Sequence, residues 1–525
     1  MTTKLSRFIF ITLASLVLLA AGLFPAGAAE SGDDAVKQGT AALEKGQYDE
    51  AIAAFTKAIQ ADDHNVAALS HRGLAYVNKG EWEKAIADLD AALRINPEQP
   101  VVHFNRGFAW LRLNKVDKAI ADYDEAIRLD PKYEDAYRDR GFARAISGRP
   151  HEALPDLNKA VELNPQDAAA YNSRGAAYSR LAEWELAIAD YDRALKLEPK
   201  DANTWTDSGY AHTMNNDLDR ALADLNHAVE LAADEPSTWF TRGFCHWRRS
   251  ETEKALADYE QALKLDADYA EAHRERGFIR GLKDDFDNAF ADLDRAVELN
   301  KESGAAHLRR GIIFARKQQF EKALADLNEA ARLDADNAET RFHRAVVQLK
   351  TGKTEEALAD YREVIRLEPR PAADYKKWDY NPEAAGQSNV DRLEEALAKY
   401  KDEAHEHYLK GVALHKEEKL DEAVAEYDRA VLLYPRSAEV HYNRGLVYRR
   451  KGDLEKAAVD FSQAIELDPK FVAAYSNRGY VSFKLGDNEG ALADFRKVLE
   501  FDPQNADAQK SIEVIEKLLK QGESP

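Results

Sequence analysis

One cysteine, Cys245, and two methionines are spread over 525 residues. No intramolecular disulfide can form, so the fold must be held by packing and charge. Basic charge is also short. Lys and Arg total 73 against 94 Asp and Glu, a formal net charge of −21. That argues against nucleic acid as a main ligand, because phosphate binding needs a large basic footprint. No phosphate-binding loop, dinucleotide fingerprint or serine-nucleophile elbow occurs, so no cofactor is expected. His405 and His407 stand two apart, on different faces of a helix, where one metal cannot readily take both. Cys245 beside His246 has no third orienting group and reads as a small packing residue rather than a nucleophile. The chain is therefore expected not to be an enzyme and to hold no metal.

Residues 8–24 are uncharged and mostly apolar. Lys4 and Arg7 precede them, Gly22 and Pro25 break them, and Ala26-Gly27-Ala28 offers a small-residue cleavage site. This is the pattern of an export signal over residues 1–29. The stretch falls short of the ~20 residues that span a bilayer. An uncleaved anchor is the alternative and the one source of expected membrane contact. In both cases Lys4 and Arg7 stay inside, which places the remaining chain outside the cytoplasm, in the periplasm.

What the sequence has in abundance is repetition. Gly39, Gly73, Gly107, Gly141, Gly175, Gly209, Gly243, Gly277, Gly311 and Ala345 fall 34 residues apart, as do Gly411, Gly445 and Gly479. With this residue as position 8, position 20 is Ala in all thirteen repeats, from Ala51 to Ala491. Position 24 is large and apolar, as in Phe55, Leu89, Tyr123, Leu157 and Tyr191. Position 27 is Ala except at Val364 and Val498, and position 32 is often Pro, as in Pro97 and Pro131. Each repeat holds two amphipathic helices and a polar turn. Small residues at 8 and 20 let the helices approach, and the residue at 24 fills the space beside them. Neighbouring repeats bury what one cannot, which gives an all-α solenoid.

The 34-residue ruler resembles the tetratricopeptide repeat (TPR) family. That resemblance implies a right-handed superhelix of antiparallel helix pairs that binds partners, usually peptides, in its concave groove. It covers ten repeats over residues 32–371 and three over 404–505, followed by a capping helix over 506–521, where Ile512, Ile515, Leu518 and Leu519 share a face. One departure stands out. Position 7, commonly Leu in the family, is Arg in ten repeats, and position 23 is Asp in eleven. A ladder of Arg–Asp pairs, tying the helices of one repeat or adjacent repeats, is expected.

The family lines its groove with positions 2, 5, 9, 12 and 13. Carried over, these give Phe104, Phe108 and Arg112 in repeat 3, Arg138 in repeat 4, Phe240, Phe244, Trp247 and Arg248 in repeat 7, and Arg274 in repeat 8. After the interruption they give Tyr408, Lys416, Tyr442 and Arg450. The position 5 and 13 cations are expected at the surface, since Arg is rarely buried unpaired. Position 9 can also pack against the next repeat. The segments 102–112 and 238–248 echo each other four repeats apart, suggesting two related subsites. Aromatics beside arginines suit a protein or peptide partner, an acidic one included. They equally suit an anionic polysaccharide. The family's clamp for acidic peptide C-termini needs Asn at position 9, which no repeat has.

Residues 372–403 break the ruler and run two residues short of a full repeat. Asn381-Pro382 and Gly386 forbid a regular first helix. Ser388 and Asp391 resemble a capping box, and Val390, Leu393, Leu397 and Tyr400 form a stripe. The segment reads as a degenerate repeat or a hinge. Tyr375, Trp378 and Tyr380 are expected to pack over exposed repeat ends.

Overall fold

A computed structural model describes residues 30–370, 372–380 and 388–521. The expected export signal lies outside them. The described residues form α-helices, one 3-10 segment and turns, with no strand. No described helix is long and apolar enough to cross a membrane. The chain divides into two compact blocks, residues 1–266 and 267–525. The first block holds repeats 1–7. The second holds repeats 8–10, the interrupted unit, repeats 11–13 and the helix Ala506–Gln521.

Each repeat is a helical hairpin, such as Pro100–Arg112 followed by Val116–Leu129. The turn between them passes through a left-handed residue at position 15, Gly80 in repeat 2 and Asn114 in repeat 3. The close approach expected of position 8 is present. A Cβ built on Gly141 would lie 2.6 Å from Leu157 Cγ, and one on Gly209 would lie 2.5 Å from Leu225 Cγ. Both leucines are fully buried position 24 residues.

Within each block, first helices of neighbouring repeats touch one another, as Glu134–Ile146 does Ala168–Arg180, while second helices meet less. The first helices therefore line the inner side of the curve and the second helices its outer side.

In the interrupted unit, the first helix is replaced by a 3-10 segment, Ala372–Trp378. The helix Asn389–Ala398 opens on the expected capping box: Ser388 accepts from the Asp391 amide and Asp391 accepts in return. Val390, Leu393 and Leu397 are fully buried in the core that closes repeat 10, with Tyr400 packed against it. Tyr375 and Trp378 join the same core beside Tyr361 and Phe342. Tyr380 takes a different course, described below. On the last helix Ile512 and Ile515 pack inward as expected, but Leu519 is exposed.

Candidate functional site

The Arg–Asp ladder exists, and it takes up the recurring position 7 arginine of the first helices. In ten repeats the position 7 guanidinium donates Nε and Nη2 to both oxygens of the position 23 Asp, with Nε–O distances of 2.6–2.9 Å. In nine of the ten, all but Arg276, the remaining Nη1 reaches back to position 25 of the preceding repeat. Its partner is Thr56, Asp90, Asp124, Asn158 or Asn226 in the first block and Asp294, Asn328, Asp428 or Ser462 in the second. One side chain thus ties both helices of its own repeat and the repeat before it. The bidentate geometry is what a planar guanidinium favours and a lysine cannot reproduce. Histidine at position 4 adds another donor in several repeats: His307 Nδ1 lies 3.0 Å from Asp326, and His441 lies 3.3 Å from Asp460.

The expected inner-face residues divide into three groups. Several are structural. Phe108 is buried, packed under the Trp82 ring at 6.1 Å. Arg138 is not a free surface cation. Asp135, Asp139 and Asp167 surround it at 2.5, 2.9 and 3.1 Å. Arg274 pairs with Glu275 at 2.7 Å. The expectation that position 5 cations are exposed fails because nearby acids neutralise them: buried Asp139 and half-buried Asp135 beside Arg138, and half-buried Glu275 beside Arg274. Arg112 lies over the Trp82 ring at 5.3 Å, so the repeat 3 patch is more closed than its repeat 7 counterpart. The two echoed segments do share one feature. Phe104 and Phe240 rest on the position 24 tyrosines Tyr123 and Tyr259 at 5.7 and 5.6 Å.

A second group forms an open aromatic face in repeats 6 and 7. Phe244 packs on Tyr210 at 6.2 Å, and Phe240, Phe244 and Trp247 are all half-buried. Arg248 is exposed and leans on Met214 Sδ at 3.9 Å. Tyr210 and Met214 hold positions 9 and 13 of repeat 6, so the periodic lining already contained them. Repeat 6 lacks the Phe-Phe-Arg echo, so the echo alone does not point to them.

The third group follows the interruption. Tyr408 and Tyr442 rest on Tyr427 and Phe461, and their hydroxyls accept from Asn443 and Asn477 of the next repeat at 3.4 and 3.2 Å. Lys416 is exposed, and Arg450 is exposed but paired with Glu418 at 2.6 Å. Tyr480, 44% exposed, carries Arg449 at 5.5 Å and Lys484 at 5.8 Å over its ring.

The residues weighed for chemistry have structural neighbours. Cys245 is fully buried, and burial pushes its thiol pKa up, which disfavours the reactive thiolate. His407 is engaged by Glu426 at 2.6 Å, while His405 packs beside Tyr408.

Asp207, at position 6 of repeat 6, stands apart. Burial raises its carboxyl to about 7, offset only in part by a 3.4 Å hydrogen bond from Asn172 and by Arg180, with Asp201 raising it further. A carboxyl whose folded pKa lies above its unfolded value of ~3.9 contributes stability below that value, and loses it as pH rises through ~7. Asp207→Asn should therefore come close to wild type at pH 4 and exceed its stability by up to about 4 kcal/mol at pH 8. Thermal unfolding at the two pH values checks this. Equal stability gaps at both would mean Asp207 ionises normally.

Sequence models described as tetratricopeptide repeat or TPR repeat match residues 36–100, 106–174, 168–201, 248–284, 311–352, 338–371, 411–452, 445–486 and 472–505. They span most of the chain, and three of the matches, 168–201, 338–371 and 472–505, each coincide with one helical hairpin.

The chain belongs to the tetratricopeptide repeat family.

No curated protein matches it. Among solved structures, a tetratricopeptide repeat protein from Parabacteroides merdae is 17% identical, with 50% of this chain and 100% of that chain covered and a TM-score of 0.40. The MamA protein is 28% identical, with 33% of this chain and 95% of that chain covered and a TM-score of 0.30. YrrB, described as a TPR protein with an unusual peptide-binding site, is 22% identical, covering 35% of this chain and 95% of its own, with a TM-score of 0.30. TPR proteins generally bind protein or peptide partners.

Proposed function

We propose that this TPR protein is a non-enzymatic extracytoplasmic scaffold that takes protein or peptide partners on the inner faces of its repeats. The observation that carries the reading is the open face of repeats 6 and 7. There Tyr210, Phe240, Phe244 and Trp247 sit half-buried beside the exposed Arg248. Ordered aromatic rings supply contact area at low entropic cost, and an exposed guanidinium adds directional pairing to a carboxylate. An acidic peptide segment fits that chemistry. The export assignment rests on Lys4, Arg7 and the apolar stretch after them.

In-cell crosslinking with mass spectrometry tests the proposal. A Phe240→Ala/Arg248→Ala variant, folded by circular dichroism, should lose at least one partner that wild type captures. An identical partner set for both chains would overturn the role of this face. Binding of a purified acidic polysaccharide to the protein alone would instead favour a carbohydrate scaffold.

A further inference from the structure

The inner face of repeats 8–10 already has an occupant, and it belongs to the same chain. The Tyr380 ring stacks on His343 at 5.6 Å with an interplanar angle of 12°. It meets Phe278 edge-on at 5.2 Å. Its carbonyl oxygen accepts from Arg316 Nη1 at 2.8 Å, and its hydroxyl lies 3.5 Å from Glu339. Two residues back, Trp378 packs on Phe342 at 5.8 Å. Glu339, Phe342, Phe278 and Arg316 are positions 2, 5, 9 and 13 of their repeats, the lining positions of the face, and His343 lies beside them at position 6. The fit is close: the space left between Tyr380, Ile312, His343 and Val346 is a cavity of about 20 Å³.

This is more than a seal over a broken repeat. Tyr375 and Trp378 already cover the end of repeat 10, and Tyr375 is fully buried there. Tyr380 reaches past that end to repeat 8, and Arg316 holds its main-chain carbonyl. A side chain in an aromatic slot with its backbone acceptor fixed by a cation is how an extended peptide would be read. Asp379 anchors the segment from the other side, accepting from the Asn389 amide at 3.0 Å and its side chain at 2.7 Å.

We propose that the inner face of repeats 8–10 is a binding site for a peptide segment carrying a tyrosine, and that Tyr380 occupies it in cis and restricts access to it. The occupant in trans is a protein segment that resembles Trp-Asp-Tyr. A tethered competitor acts at an effective concentration of ~mM, so it weakens an external peptide by the ratio of that concentration to its own dissociation constant. The proposal rests on the scaffold reading, that the inner faces of the repeats take partners. The site itself lies in the second block, so either can fail without the other.

The test uses a fluorescein-labelled, C-terminally amidated peptide, DYKKWDY, the sequence of residues 374–380. It is titrated by fluorescence anisotropy against full-length wild type and Tyr380→Ala. The variant should bind at least about tenfold more tightly than wild type, and adding Arg316→Ala should weaken it again about tenfold. The peptide DYKKWDA should bind neither chain. Should Tyr380→Ala fail to fold, Asp379→Ala loosens the anchor and leaves the lining intact, with the same expected gain. Equal affinity for wild type and a folded variant, absence of binding to both, or equal binding of DYKKWDA would each overturn the proposal.

Discussion

Asp460→Ala is expected to destabilise the second block by about 3–5 kcal/mol, the cost of leaving one partner of a buried ion pair behind. Asp460 is 1% exposed and holds Arg444 through both oxygens at 2.7–2.9 Å, with His441 at 3.3 Å. Without it the half-buried Arg444 keeps only its bond to Asp428 in the preceding repeat. Urea denaturation gives the loss, and hydrogen exchange of the helix Leu454–Leu467 localises it. An unchanged midpoint would show that the ladder is ornamental. The carboxyls of Asp292, Asp326 and Asp460 share a pH signature. Burial would raise each, but hydrogen bonds from arginine and histidine outweigh it and hold all three below the ordinary carboxylate range. With a depressed folded pKa, their stabilisation is complete above ~4 and is lost as pH falls through the lower folded value. Repeat 6 supplies the contrast. Ser208 replaces the arginine, and burial raises the Asp224 carboxyl despite a hydrogen bond from Ser208 at 2.7 Å. Asp224→Asn should therefore leave stability unchanged or raise it.

Gly141→Ala should be the opposite of the usual helix substitution. In an exposed helix interior Gly to Ala gains about 1 kcal/mol. Here the new methyl would sit 2.6 Å from Leu157 Cγ and 3.2 Å from the Ala153 carbonyl. Leu157 is fully buried and the carbonyl belongs to a helix, so neither can yield cheaply. A loss of about 1–3 kcal/mol follows from overpacking. Leu157→Ala alone should cost about 2–5 kcal/mol by opening a cavity. The double variant, with the clash removed, should be better than the sum of the two by more than ~0.5 kcal/mol. Strict additivity in a thermal-denaturation cycle would mean that the two side-chain positions do not meet.

The repeat, its register and the ladder's two ends could be read in the sequence because identical residues recur at fixed spacing. The arginine's third bond could not. Its acceptor at position 25 changes among Thr56, Asp90, Asn158 and Ser462, which share only an oxygen at the right height. Arg138 and Arg274 differ from the surface position expected of them for a related reason. Their burial is set by acids specific to their own neighbourhood, Asp135, Asp139 and Asp167 for one and Glu275 for the other. The path of Tyr380 lies beyond periodic reasoning altogether, because it leaves the broken unit and returns to repeat 8.

The missing arginine at Ser208 also bears on how the array comes apart. Nine of the ten position 7 arginines are rivets between consecutive repeats, so unfolding one repeat strains the next, and such coupling makes the repeats of a block respond together. At Ser208 the rivet is absent: its hydroxyl holds Asp224 within its own repeat. Under tension, as when a bound partner is drawn away, the seam between the fifth and sixth repeats relies on Asn172, which donates to Thr204 at 2.9 Å and to Asp207 at 3.4 Å, in place of that rivet.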